Sequence, residues 1–269
     1  MDIQERYISE QHLNELKAAK ILLENPGLAA RLTNMIGKPV EVVFQSIPER
    51  WKDRIHSVTR SSLIGALEFL GKTFEYQEGK RAQESQHKFA VIASGAVGGA
   101  FGLASLVLEL PISTVIMLRS IMDIARSEGE NVEESETKLA CLEVFALGGT
   151  SHKDDSTELG YYAIRMALAR SLSEAANFIA ERGLAEKGAP VLVRFITQIA
   201  ARFGVVVSEK AAAQAIPIFG AIAGASINVA FIDHFQNVAR GHFIVRKLER
   251  FYGKESIEEQ YNKITNEES

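Results

Sequence analysis

The stretch FAVIASGAVGGAFGLASLVL, Phe89 to Leu108, decides how this chain is read: it runs for 20 residues without a charge. A second stretch, AAAQAIPIFGAIAGASINVAFI, Ala211 to Ile232, has the same character. Pro111 stands just beyond the first and Pro217 inside the second. Ser94, Gly98 and Gly102 are spaced by four, as are Gly95 and Gly99, and Gly220, Gly224 and Asn228 in the second run. On a helix that spacing makes a smooth stripe, which lets another backbone approach closely. Glycine in a helix interior costs about 1 kcal/mol against alanine. Gly95, Gly98, Gly99 and Gly102 fall within eight residues, so they need a structural return, and close packing is the simplest. The fold expected is all-α: a multi-helix bundle built around two Gly/Ala-rich helical hairpins.

A segment of this length can also cross or enter a bilayer. Leu, Ile, Phe and Val each favour insertion by about 0.3–0.6 kcal/mol, and the first run holds nine of them. Glu109, Arg119 and Asp123 follow closely, and an ion at the bilayer centre costs about 3 kcal/mol. A full span is marginal on that arithmetic. A shallow membrane hairpin and the dry core of a soluble bundle both stay open.

The remaining sequence excludes several classes. The chain has 269 residues, net charge −4 and pI near 5.9, which argues against nucleic acid as a partner. Cys141 is the one cysteine, so no intramolecular disulfide can form and a reducing compartment is expected. The N-terminus is polar and partly acidic, unlike a secretory signal. The expected location is the cytoplasm, either free or against the inner face of the membrane.

Nearly every segment reads as helix. The first is expected from Ser9 to the stop at Asn25-Pro26-Gly27, and the second from Ser46 to Leu70. Pro111 is expected to break or kink the chain before a helix over Ile112–Ser127, and an acidic helix follows from Val132 to Phe145. A loop around Gly148–Ser156 leads into a helix opened by Asp155 and closed at Gly183. Pro190 to Phe203 reads as a helix ended by Gly204, and a last long helix stops at Gly253. Residues 1–88 are read as an N-terminal helical segment, 89–253 as the core, and 254–269 as a charged tail expected to fray, all within one expected domain.

Candidate chemistry is sparse. The glycines at 95–102 lack the Lys and Ser/Thr of a phosphate loop, and their context is helical. Cys141 sits among apolar residues as a small hydrophobe. His234 and His242 are eight apart, wider than helical zinc pairs prefer. His152, Asp154 and Asp155 read as a solvated loop. No catalytic residue, cofactor or metal site is assigned. What remains is a set of polar groups near the two runs: Glu109, Arg119, Asp123, Lys210, Asn228, Asp233, His234 and Arg246. Arg119 and Asp123, one turn apart, can pair. If the hairpins face each other, Arg119 meets Asp233 or Glu109 meets Lys210. These groups form either a structural ion-pair network or a polar pocket.

Several of these segments resemble the EcsC family. The resemblance rests on Ser94-Gly95-Ala96-Val97-Gly98-Gly99-Ala100, Glu109-Leu110-Pro111, Leu118-Arg119, and Leu142-Glu143-Val144-Phe145-Ala146-Leu147-Gly148-Gly149. It continues through Ile216-Pro217-Ile218-Phe219-Gly220-Ala221, Asn228, Phe243 and Arg246-Lys247-Leu248-Glu249, and so spans Phe89 to Glu249. Glu109 stands where relatives carry Asp. The resemblance implies a bacterial helical protein, cytoplasmic or peripheral to the membrane, with no catalytic residues to carry over. The family takes its name from an operon that also encodes an ABC transporter. A membrane surface or such a transporter is therefore an expected partner. A soluble enzyme or ligand-binding bundle is the competing reading, and the small-residue stripes could also serve a homo-oligomer.

Overall fold

The computed structural model describes residues 8–24, 27–37, 39–72, 103–149, 160–182, 188–215 and 220–264. Among them are ten helices and no strand. They are α1 (Glu10–Glu24), α2 (Leu28–Ile36), α3 (Val40–Gln45), α4 (Glu49–Lys72), α5 (Leu103–Ser127), α6 (Ser135–Leu147), α7 (Tyr161–Arg182), α8 (Pro190–Gln214), α9 (Gly220–Tyr252) and α10 (Lys254–Lys263). Gly95, Gly98, Gly99, Gly102 and Pro217 lie outside the described residues; Gly220 and Gly224 lie in the first turns of α9.

The post of the bundle is α9, 33 residues and about 50 Å long at 1.5 Å per residue. It packs against α1, α2, α5, α6, α8 and α10. Three polar links set α5 and α9 side by side and parallel. Lys210 of α8 joins Glu109 on α5 at 2.6 Å and lies 4.4 Å from the Phe231 ring centroid on α9. Gln236 donates to Ser120 at 2.7 Å midway along. Arg246 then donates to Glu130, just past the end of α5, at 2.9 Å. Where α6, α8 and α9 meet, the rings of Phe145, Phe203, Phe231 and Phe235 pack with centroids 4.8–6.2 Å apart, some tilted and some edge to face.

Several elements differ from the expectations. Pro111 neither breaks nor ends its helix; α5 runs through it. Burial of Leu106, Leu110, Met117 and Leu118 on both sides outweighs the ~3 kcal/mol that proline costs in a helix interior. Gly204 does not stop α8, which continues through Val205-Val206-Val207 to Gln214. The tail does not fray through Ile264. α10 buries Ile257 and Tyr261, and Lys20 of α1 donates to the carbonyls of Tyr261 (3.0 Å) and Ile264 (2.8 Å). An ammonium at that end satisfies orphan carbonyls and meets the negative pole of the helix. The N-terminal helices belong to the same body, since α1 packs on α9 and α4 packs on α5 and α8.

Among the glycines with described surroundings, close approaches occur at Gly149 and Gly241. A Cβ at Gly149 would lie 2.6 Å from the Arg202 carbonyl oxygen of α8, and one at Gly241 would lie 2.7 Å from Leu23 Cγ of α1. Gly65, inside α4, has nothing within 4 Å of its would-be Cβ. Gly149→Ala should therefore lower stability by about 1–3 kcal/mol through overpacking. Gly65→Ala should raise it by about 0.5–1 kcal/mol through helix propensity. Urea unfolding of the two variants checks both signs.

Candidate functional site

Lys210 is the most deeply buried cation among the described residues, at 0% exposure. It comes from the last turns of α8, where Val206, Val207, Ala211 and Ala212 are also buried. Its ionic partner among the described residues is Glu109, itself buried on α5. Gln214, one turn on along α8, donates weakly to the other Glu109 oxygen at 3.4 Å. Burial pulls the Lys210 ammonium below its ordinary value, and the adjoining carboxylate opposes that pull. Asn228 lies one turn before Phe231 on α9. It is 0% exposed, and neither side-chain amide atom has a protein hydrogen-bond partner. A buried amide left unpaired costs about 1–3 kcal/mol, so this position is held against stability.

The other expected site residues do not join this group. Asp123 pairs with Arg126 at 3.2 Å rather than with Arg119, which stands exposed on α5. Arg246 sits at the far end of α9, where Glu130 receives Arg246, Arg250 and the Thr137 hydroxyl. Burial alone would raise the Glu130 carboxyl, but hydrogen bonds and charge from Arg246 and Arg250 hold it below its ordinary value. His234 packs against the end of α6, 2.7 Å from the Gly148 carbonyl. A carbonyl only accepts, so His234 Nε2 carries the proton; burial and then Arg31 lower its pKa to about 4. Asp233 is half-buried beside it. Among the described residues no group of three or more His, Cys, Asp or Glu could hold a metal ion.

The sequence pattern of the EcsC protein family matches residues 10–248. The chain belongs to the EcsC family. No curated protein and no solved structure matches it. The family region begins within α1, well before the Phe89 at which the resemblance was drawn, so α1–α4 are part of the EcsC unit.

Sequence reasoning missed a second polar group in this EcsC chain. Glu143 of α6, Tyr161, Tyr162 and Arg165 of α7, and His242 and Glu249 of α9 converge in the interior. Arg165 holds Glu249 with two bonds, 2.6 and 2.9 Å, and the Tyr162 hydroxyl donates to the same carboxylate at 3.1 Å. One signal could have found Glu143: a carboxylate in the middle of the run Leu139–Leu147 has apolar residues on every side.

Removing one partner of a buried ion pair strands the other. Lys210→Met alone should lower stability by about 3–5 kcal/mol, and adding Glu109→Leu should restore most of it. A double-mutant cycle by urea unfolding measures the coupling.

Proposed function

We propose that this EcsC protein is a membrane-associated accessory protein that meets the bilayer with one end of its bundle. The observation that carries the reading is the segregation of charge along α5 and α9. Their N-terminal halves hold Glu109 and Asp233 as their only ions, and Glu109 is neutralised by Lys210. Their C-terminal ends, roughly 30 Å away along α5, carry Arg126, Glu128, Glu130, Arg246, Lys247 and Arg250 in linked pairs. At the uncharged end α5 turns Leu108 and Ile112 outward, 76% and 56% exposed. Val115 and Ile116 continue that face half-buried, and Arg119 closes it with a cation three turns on. An apolar stripe ended by a long basic side chain suits a lipid interface, where arginine reaches back to the headgroups.

Among the described residues α8 alone is long and apolar enough to cross a membrane, and half of its most apolar window is buried in the bundle. That burial favours surface docking over a span for this helix. The partner at the surface is lipid, or an ABC transporter embedded in it.

A second reading is favoured by Asn228 alone: its unpaired amide, one turn along α9 from the Phe231 ring that faces Lys210, suits a small polar ligand. In that case Asn228→Leu raises the melting temperature of the free protein and abolishes the thermal shift given by whichever small polar compound stabilises the wild type.

Flotation with phosphatidylethanolamine/phosphatidylglycerol vesicles tests the membrane reading. The wild type should float with the vesicles. Leu108→Asp with Ile112→Asp should cut the bound fraction at least about ten-fold, since each apolar side chain withdrawn from water contributes about 1.5–3 kcal/mol. Both positions are exposed, so unfolding should be unchanged. A wild type that stays wholly with the soluble fraction overturns the reading.

A further inference from the structure

Three helices bring Glu143, His242 and Tyr161 into line. The Tyr161 hydroxyl is 2.9 Å from His242 Nδ1. The other ring nitrogen, Nε2, faces Glu143 Oε2 at 4.0 Å and has no protein hydrogen-bond partner. His242 is fully buried, and Glu143 and Tyr161 nearly so.

The chemistry of this line is restrictive. A neutral imidazole has one donor nitrogen and one acceptor nitrogen. An ionised Glu143 can only accept. It favours the proton on Nε2, which leaves Nδ1 to accept from the Tyr161 hydroxyl. A protonated Glu143 can donate to Nε2 once a side-chain rotation closes the 4.0 Å gap. The imidazole proton then sits on Nδ1 and is donated to the Tyr161 oxygen, whose own proton is free to turn elsewhere. One proton on Glu143 thus reverses both bonds, and no charge is created on the ring.

The surroundings keep the ring out of the charged form. Burial, then the charges of Arg165 and Arg246, hold His242 well below its ordinary pKa. Burial raises the Glu143 carboxyl to about 7, with Glu249 adding to the rise and Arg165, Arg246 and Lys254 opposing it. Those four are its principal charged neighbours. They come from α7, α9 and the start of α10, and none comes from α4, α5 or α8.

We propose that Glu143, His242 and Tyr161 form a proton-responsive latch, in which the protonation state of Glu143 selects the tautomer of His242 and so the direction of its bond to Tyr161. The latch lies where α7 begins. The same turn carries Tyr162 and Arg165, both bonded to Glu249 of α9, with the Arg165 guanidinium 5.3 Å from the Tyr161 ring centroid. Reversing the Tyr161 bond therefore alters how the first turn of α7 is held to α9.

The folded-state pKa of Glu143 lies above its unfolded value of 4.5. Its contribution to stability is fully present below about 4.5 and is lost as pH rises through about 7. Glu143→Gln, neutral throughout, should match the wild type at pH ~5 and exceed it at pH ~8.

The deciding measurement is the full chain with 15N-labelled histidine and 13C-labelled glutamate, followed by NMR from mildly acid to mildly alkaline pH. His242 should exchange its pyrrole-type and pyridine-type 15N shifts between Nε2 and Nδ1. The midpoint should lie near neutrality and coincide with that of the Glu143 carboxyl 13C shift. Glu143→Gln should hold one tautomer over the whole range. A His242 that keeps one tautomer in the wild type overturns the proposal. So do midpoints that differ between the two residues, or a conversion that persists in Glu143→Gln. The wild-type comparison decides even if the variant fails to fold.

Discussion

A lysine with no solvent exposure must find an anion, and Lys210 finds Glu109. The arrangement of the long helices follows from that contact. Desolvating two ions costs several kcal/mol each, and only close geometry offsets it. The 2.6 Å bond therefore tolerates little sliding of α8 along α5. The Phe231 ring, 4.4 Å from the same ammonium, ties α9 to the same level by a cation–π contact. With three helices pinned at one end, the other two links of the α5–α9 pair follow in register: Ser120 with Gln236, then Glu130 with Arg246. A purely apolar seam would not distinguish this register from one displaced by a turn. Buried polar partners do distinguish it, at some loss of stability.

The same register sorts the chain by polarity. Because α5 and α9 are parallel, their two uncharged halves come to one end of the molecule and their ionic ends to the other. At the ionic end the pairs are partly wet. Lys247 bridges Glu15 of α1 and Glu128 after α5 at 3.0 and 2.7 Å. Such pairs each contribute little, but they join α1, α5 and α9. At the other end the described outward face of α5 is Leu108 and Ile112.

Much of this pattern can be read from the residues, and the failures are instructive. The limits of α1 and α4 and the end of α9 follow, within a few residues, from caps, prolines and glycines close in sequence. The Glu109–Lys210 contact is one of two pairings that the two-hairpin picture suggests. The errors about helix ends share one cause, which is that tertiary burial overrides a local rule. Pro111 and Gly204 are helix breakers by local measure, yet both lie where apolar side chains before and after them are buried. The tail from Lys254 reads as polar, with mostly charged neighbours around Ile257 and Tyr261; it docks because Lys20 of α1 meets its last carbonyls and because Tyr261 packs on Tyr161 and Tyr162 of α7, partners far away in sequence. Arg119, one turn back, reads as the partner of Asp123, but Arg126 lies one turn forward and pairs with it. Periodicity shows both arginines within reach and gives no reason to choose between them.

Helix α6 makes the strongest case that this fold carries more than structure. Its entry is acidic and exposed at Glu133, Glu134 and Glu136, so it reads as a surface helix. From Leu139 to Leu147 every residue is buried, Glu143 included. A helix covered on all sides is the innermost element of a bundle, and it is the last place where stability alone would put a carboxyl group. Leucine or methionine would fill the same volume without the cost of desolvating an acid. The helices around it have supplied that acid with a neutral histidine, a tyrosine and an arginine–glutamate pair rather than with a direct counter-ion. A structural carboxylate would be expected to have what Glu109 has, a cation at bonding distance. Glu143 has instead a neighbour that can accept or donate a proton, so it is set up for different work from Glu109 and Glu130: those two hold helices in place through cations, and Glu143 can change state.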